Sequence, residues 1–331
     1  MIINNEYTCI DLAKFVMAIF VVAIHTEPET ICNNEYIIRL LRSCYNLAVP
    51  FFFMASGFFL FRKTTFPIRE NIDNSNRVKS YLKKILRLYI IWTIIYLPLT
   101  VYGFIKDGEP LHRAILIFVR NLILVGENYY SWPLWYLLGL FVSVALIYIS
   151  DKFRLTLKTI IVIAIITSLV GSLSSYWENS FWGHTYMSIF KTTRNGLFVG
   201  FACTTLGAYS SSISTKQIHP YHLILLFTIS IVLSYLVQNF MFSLVSTYFL
   251  FRYLTSVQFY RISYSTSLFL RDESTIIYFL HMLVVAFLRI CVFKDDVNPI
   301  FLFILTFVIV FCIGKILYKY SNNFFYKIIF K

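Results

Sequence analysis

Apolar runs of about twenty residues recur along the whole chain, and short polar segments separate them. The pattern predicts ten membrane-spanning helices, near 8–26, 43–61, 85–105, 132–150, 157–176, 187–207, 220–238, 241–259, 275–293 and 299–318. An eleventh stretch, 111–125, is short for a span and carries Arg113 and Arg120, which predicts an interfacial or re-entrant helix. The longest polar segment, 62–84, is too short to fold alone, and no internal repeat or low-complexity linker interrupts the pattern. The expectation is an all-α, polytopic protein with one transmembrane domain over 1–331. The first apolar run lacks a basic leader and a small-x-small cleavage site, so it is expected to be a retained span.

Composition agrees with the pattern. Apolar residues are 58% of the 331 and charged residues 14%, against roughly 25% charged in a soluble domain. That excludes a soluble enzyme, a disordered chain and a collagen-like fibre. The formal net charge of +13 would suggest nucleic acid in a soluble protein. In a membrane protein the same excess belongs to cytoplasmic loops, and no nucleic-acid partner is expected. With both termini in the cytoplasm, eighteen of the 29 Lys and Arg fall on the inner side, seven on the outer side and four within spans. Arg62, Lys63, Arg69, Arg77, Lys79, Lys83 and Lys84 lead the inner set, and Lys216 and Arg261 belong to it. Counting 111–125 as a full span would invert every later loop. The six cysteines show no CxxC pair and no His/Cys metal spacing, so no metal site is expected. Cys32 and Cys44 share an outer loop on this topology, which leaves a disulfide between them open.

Charged and titratable groups at bilayer depth need a reason. Lys14 and His25 are eleven steps apart, which returns a helix to nearly the same face about 16 Å further along. They can line one cavity, Lys14 in the inner half and His25 near the outer end. The alternative is a snorkelling lysine and an interfacial histidine. Ser56 and Gly57 interrupt an aromatic stripe, as a packing notch or a ligand approach. Lys84 and Arg87 share a face at the cytoplasmic mouth of the third span, suited to lipid phosphates or to an anionic ligand. Trp132 and Trp135 fit an interfacial aromatic belt. Lys191 and Arg194 are expected on one face of the sixth span, with no acid nearby in sequence. Tyr278 and His281 are expected on one face in the inner half of the ninth. These polar groups suit one shared internal cavity.

Five segments carry a resemblance. They are IDLAKFVMAIFVVAIHT with Lys14 and His25, VPFFFMASGFF with Ser56-Gly57-Phe58, KILR with Lys84 and Arg87, LWYL at 134–137, and IYFLH at 277–281. In order and spacing they resemble the acyltransferase 3 family of bacterial integral membrane proteins, over nearly the full chain. The resemblance implies about ten spans and transfer of an acyl group, often acetyl from acetyl-CoA, to sugars of surface polysaccharide or peptidoglycan. It implies that His25 is catalytic and that Lys14, Ser56 and Arg87 support the site. Lys14 and Lys84 stand where the family commonly has arginine, which keeps the charge but not the bidentate phosphate geometry. AIHTEP followed by VPFFFMASGFFL is also similar to the membrane part of vancomycin-resistance serine racemases, which implies a second class of function, translocation of a small amino acid such as serine.

The favoured expectation is a multi-pass acyltransferase of the bacterial plasma membrane. Acyl-CoA is its donor substrate, no cofactor is permanently bound, and a surface glycan or peptidoglycan hydroxyl is the acceptor. The donor phosphates are expected near Lys84 and Arg87, and at Lys14. His25 acts as general base or transiently holds the acyl group, and Lys191 or Arg194 stabilises the oxyanion. Ser56, Tyr278 and His281 complete the expected substrate- and donor-binding set. Membrane lipids are expected partners, with a homodimer left open.

Overall fold

The computed structural model describes residues 7–213, 218–257, 262–294 and 296–331, and among these every regular element is helical. The inner-loop cations Lys216 and Arg261, and the end of the expected span 241–259, lie outside the described residues. In chain order the helices are α1 (Thr8–Thr26), α2 (Glu35–Tyr45), α3 (Ala48–Phe61), α4 (Ile72–Lys106), α5 (Leu111–Arg120), α6 (Trp135–Lys152) and α7 (Leu157–Ser172). They continue with α8 (Ser174–Trp177), α9 (Phe181–Phe190), α10 (Phe201–Ser212), α11 (Pro220–Val237) and α12 (Phe240–Ser256). The last three are α13 (Tyr264–Phe287), α14 (Pro299–Tyr318) and α15 (Phe324–Phe330).

Seven helical segments among the described residues are long and apolar enough to cross a membrane: Thr8–Thr26, Glu35–Phe61, Ile72–Lys106, Trp132–Lys152, Pro220–Val237, Tyr264–Val292 and Pro299–Tyr318. The other three expected spans take shorter forms. Helix α7 has 16 residues and α12 has 17, about 24–26 Å of helix against a hydrocarbon core of about 30 Å. The expected span 187–207 is broken. Helix α9 ends where Lys191 turns left-handed at φ 62°, and the chain becomes helical again only at Gly196. Asn195 starts that second segment by accepting from the N–H groups of Leu197 and Phe198, a side-chain cap that a continuous helix has no use for. The stretch 111–125 is the ten-residue α5, followed by a wide turn over Asn121–Val125 and a left-handed Gly126.

Caps fix where the long helices begin. Asn71 accepts from Asp73 and Asn74 at the start of α4, Ser263 from Thr266 at α13, and Asn298 from Ile300 and Phe301 at α14. Helix α4 runs 35 residues, about 52 Å, well beyond a hydrocarbon core of about 30 Å.

The chain divides into two compact units. One comprises Met1–Ala55 with Ile213–Phe330, the other chiefly Ser56–Ser212. In the first, α1 packs on α13, α14 and α12, and α11 pairs with α12. Asp11 and His25 on α1 are fourteen residues apart, as are Ser267 and His281 on α13. Ser267 Oγ donates to Asp11 Oδ2 at 2.7 Å, and the rings of His25 and His281 are centred 5.3 Å apart. Helices α1 and α13 therefore run parallel and in register for nearly four turns. Helix α14 returns antiparallel along α13 so closely that a Cβ on Gly314 would overlap the Glu273 carboxyl. Phe51 of α3 meets Phe251 edge-on, with ring centroids 5.5 Å apart.

In the second unit α6 packs on α4 and α10, and α10 on α7. The notch at Gly57 is a packing notch: a side chain there would collide with the Thr204 carbonyl of α10. Close backbone approach of this kind is what draws helices together where the surroundings are as apolar as the side chains. The loop before α4 is tied to α6 by Asp151, fully buried, which accepts from the N–H groups of Ile68 at 3.0 Å and Arg69 at 2.8 Å.

Candidate functional site

Within the first unit, parallel packing brings His25 of α1 and His281 of α13 together. Their rings are inclined by 36° at 5.3 Å. His25 is half-buried and His281 fully buried. His281 Nδ1 lies 2.9 Å from the carbonyl of Ile277, one turn earlier on the same helix. A carbonyl only accepts, so Nδ1 carries the hydrogen and Nε2 keeps its lone pair. That Nε2 is buried and makes no hydrogen bond. The local sequence sets this arrangement, because an i−4 carbonyl is the one acceptor a helical histidine always has within reach.

This geometry sets His281 level with His25, whereas the apolar pattern puts the two towards opposite ends of their spans. The apolar run suggests a span from 275, which puts His281 near its inner end. The helix begins at Tyr264 instead, and His281 stands level with His25. The eleven extra residues include Arg271, Asp272 and Glu273, whose charge masks the helix in the hydropathy pattern. Tyr278 shares α13 with His281 and is half-buried.

Lys14 is mostly buried, with Nζ 4.0 Å from Asp11 Oδ1 one turn earlier on α1. The i,i+3 spacing of Asp11 and Lys14 makes this partner legible in the sequence. Cys32 and Cys44 are both free thiols.

The second unit holds the remaining candidates. Ser56 Oγ and Tyr136 Oη are 2.9 Å apart, which joins the small pair in α3 to the LWYL segment at the start of α6. Lys84 and Arg87 are exposed on one face of α4. Lys191 and Arg194, expected on a helix face, lie in the non-helical link after α9, and both are exposed. The acid they were missing is Glu127, distant in sequence and held close enough to feel both charges. Partial burial raises the Glu127 carboxyl above its ordinary value, against the opposing pull of Lys191 and Arg194.

Glu127 and Lys191 line a cavity of about 270 Å³ together with Arg120, Asn121, Asn128, Tyr129 and Trp132. Its floor is a polar network. Arg120 donates to Asn121 Oδ1 at 3.1 and 3.0 Å, Asn121 Nδ2 donates to Asn128 Oδ1 at 3.2 Å, and Ser131 Oγ accepts from the Asn128 N–H at 2.9 Å. Asn121 and Asn128 are buried. Amide, carboxylate, ammonium and indole groups on one small cavity suit a polar ligand with hydroxyls. Reading the sequence span by span missed this cavity, because its lining joins the 117–132 stretch to Lys191, some sixty residues away in sequence.

Three curated relatives share part of the chain. An amino-acid racemase of Enterococcus faecalis is 27% identical over 229 residues, 63% of this chain and 28% of that protein. A second one from the same organism is 30% identical over 233 residues, 67% of this chain and 32% of that protein. A serine/alanine racemase of Enterococcus gallinarum is 28% identical over 197 residues, 57% and 27% of the two chains. The matched stretch is thus about a third or less of each relative's length. No solved structure matches. The model of the acyltransferase 3 family, an acyltransferase domain, matches residues 7–319. A match over nearly the whole chain shows that the protein belongs to the acyltransferase 3 family.

Proposed function

We propose that the protein is a multi-pass O-acyltransferase of the bacterial plasma membrane, moving an acyl group, acetyl in the simplest case, from acyl-CoA to a hydroxyl of a surface glycan or peptidoglycan. The observation that carries this reading is the His25–His281 pair. A half-buried imidazole beside a fully buried one with a fixed tautomer suits a general base that takes a hydroxyl proton. The hydroxyl oxygen then attacks the acyl carbonyl, CoA leaves as its thiolate, and the proton held on His25 returns to solvent. A variant of the same route passes the acyl group through His25 itself. Lys84 and Arg87 serve the CoA phosphates, with Lys14 a further cation and Ser56 a positioning hydroxyl. Lys191 or Arg194 is assigned to a developing oxyanion.

Ten spans with both termini in the cytoplasm suit the register of α1 and α13. Parallel helices must both be odd-numbered crossings. Counted among the seven long segments alone, α13 would be the sixth. If α7, the α9–α10 stretch and α12 also cross, it is the ninth. On this topology α5 lies at the interface.

Translocation of a small amino acid is the second reading, kept because the relatives matched in part are racemases of amino acids. Purified protein in liposomes separates the two. With labelled acetyl-CoA inside and a glycan acceptor outside, covalent label on the glycan supports transfer. Saturable serine uptake with no acyl-CoA binding overturns it.

A further inference from the structure

Among the described residues, three buried acids have named partners. Asp11 has Ser267 and Lys14, Asp151 has two backbone N–H groups and Arg69, and Glu29 has Arg42. Glu273 differs from them. It is fully buried on α13, and neither carboxyl oxygen has a hydrogen-bond partner. Its carboxyl rests against Gly314 of α14, where any side chain would displace it. An ionised carboxylate in such a place is costly unless a nearby cation offsets it, whereas a neutral carboxyl is tolerated.

The rest of the α13–α14 seam gives that proton somewhere to go. The two helices are antiparallel, with Glu273 opposite Gly314. Eight residues onward on α13 is His281, and eight residues back on α14 is Thr306, so these two stand level with each other. His281 Nε2 and Thr306 Oγ1 are also fully buried without a hydrogen-bond partner. Three unsatisfied polar groups thus occupy one helix–helix seam over roughly 12 Å, a row rather than a scatter of defects.

We propose that Glu273 is a proton-binding site, neutral at rest, that exchanges its proton with His281 along the α13–α14 seam. The proton crosses the roughly 12 Å through water admitted to the seam: the carboxyl O–H bond breaks, each water takes one proton and gives up another, and an Nε2–H bond forms, leaving carboxylate and imidazolium with no water consumed. The Thr306 hydroxyl, able to accept and donate, is the relay at the histidine end. Around Glu273 stand Lys315 on α14, Tyr326 on α15 and Asp272 on its own helix, while on α1 Lys14 and Asp11 are engaged with each other. Lys315 is the group that favours the carboxylate once the proton has moved. The site goes beyond the acyl-transfer reading, because any chemistry that places negative charge at the histidine pair draws on it.

Infrared spectroscopy of the full chain in lipid tests the proposal without an activity assay. The wild type should show a carboxylic-acid carbonyl band at neutral pH that is lost in Glu273→Gln, and the band should shift on transfer to D2O. Exchange should slow severalfold in Thr306→Val. Should Glu273→Gln fail to insert, reaction of the wild type with dicyclohexylcarbodiimide reads the same proton, with the adduct mapped to Glu273 and not to Asp11. A missing acid band, a wild-type band that never exchanges, equal exchange in Thr306→Val, or an adduct confined to other carboxyls would each overturn it.

Discussion

His281 holds the hydrogen on Nδ1 by its contact with the Ile277 carbonyl at 2.9 Å, which leaves Nε2 unprotonated, buried and without a hydrogen-bond partner, in a ring centred 5.3 Å from that of His25. Removing His25 should then remove the base and little else. His25→Ala is expected to lower acyl transfer about 100–10,000-fold while abundance in the membrane stays near wild type. Glycan acylation per unit of inserted protein measures this, and substantial turnover by a well-expressed variant returns His25 to an interfacial role.

Lys84 and Arg87 are exposed on one face of α4. Acyl-CoA binding that uses them should weaken as salt rises, since exposed charges are screened within about 8–10 Å near physiological ionic strength. In Lys84→Ala/Arg87→Ala the affinity should fall and the salt dependence flatten. Equal salt slopes in calorimetry would assign the face to lipid headgroups.

Gly57 has the Thr204 carbonyl where a Cβ would go. Gly57→Ala should force α3 and α10 apart at a cost of about 1–3 kcal/mol, seen as a lower melting temperature in detergent. Ser56→Ala, which loses one hydrogen bond to Tyr136, should melt closer to wild type. The reverse order would mean that the notch is open.

Glu127 supplies a pH signature. Its carboxyl is raised by partial burial despite Lys191 and Arg194, so the folded state holds its proton to higher pH than the unfolded chain does. That contribution to stability is present below the ordinary carboxylate value and is lost as pH rises through the raised one. Wild type should therefore lose thermal stability over this window relative to Glu127→Gln, and Lys191→Met should extend the loss to higher pH. Parallel melting-versus-pH curves for wild type and Glu127→Gln would refute the assignment.

Topology is checked by single cysteines in a cysteine-free background. Lys63→Cys should resist an impermeant thiol reagent in intact cells, and Asn33→Cys should react, both positions being exposed. The opposite pattern inverts the charge-derived orientation.

The linear pattern of residues determined that the protein is helical and where most long helices lie. Those properties depend on local hydropathy and on side chains a few residues apart. The break after Phe190 escaped the hydropathy pattern, which predicts one span over 187–207, although KTTRNG holds an asparagine able to cap. Helix α13 was read too short because Arg271, Asp272 and Glu273 look like a loop when their burial is unknown. Pairing across distance was beyond one-dimensional reading. Hydropathy has a period along one helix but no phase between two, so nothing local tells that His25 meets His281, that Glu127 faces Lys191, or that Glu273 has no partner. Only packing chooses those neighbours, and it does so where Gly57 and Gly314 let backbones approach and where Asp11 and Ser267 lock one helix in register with another.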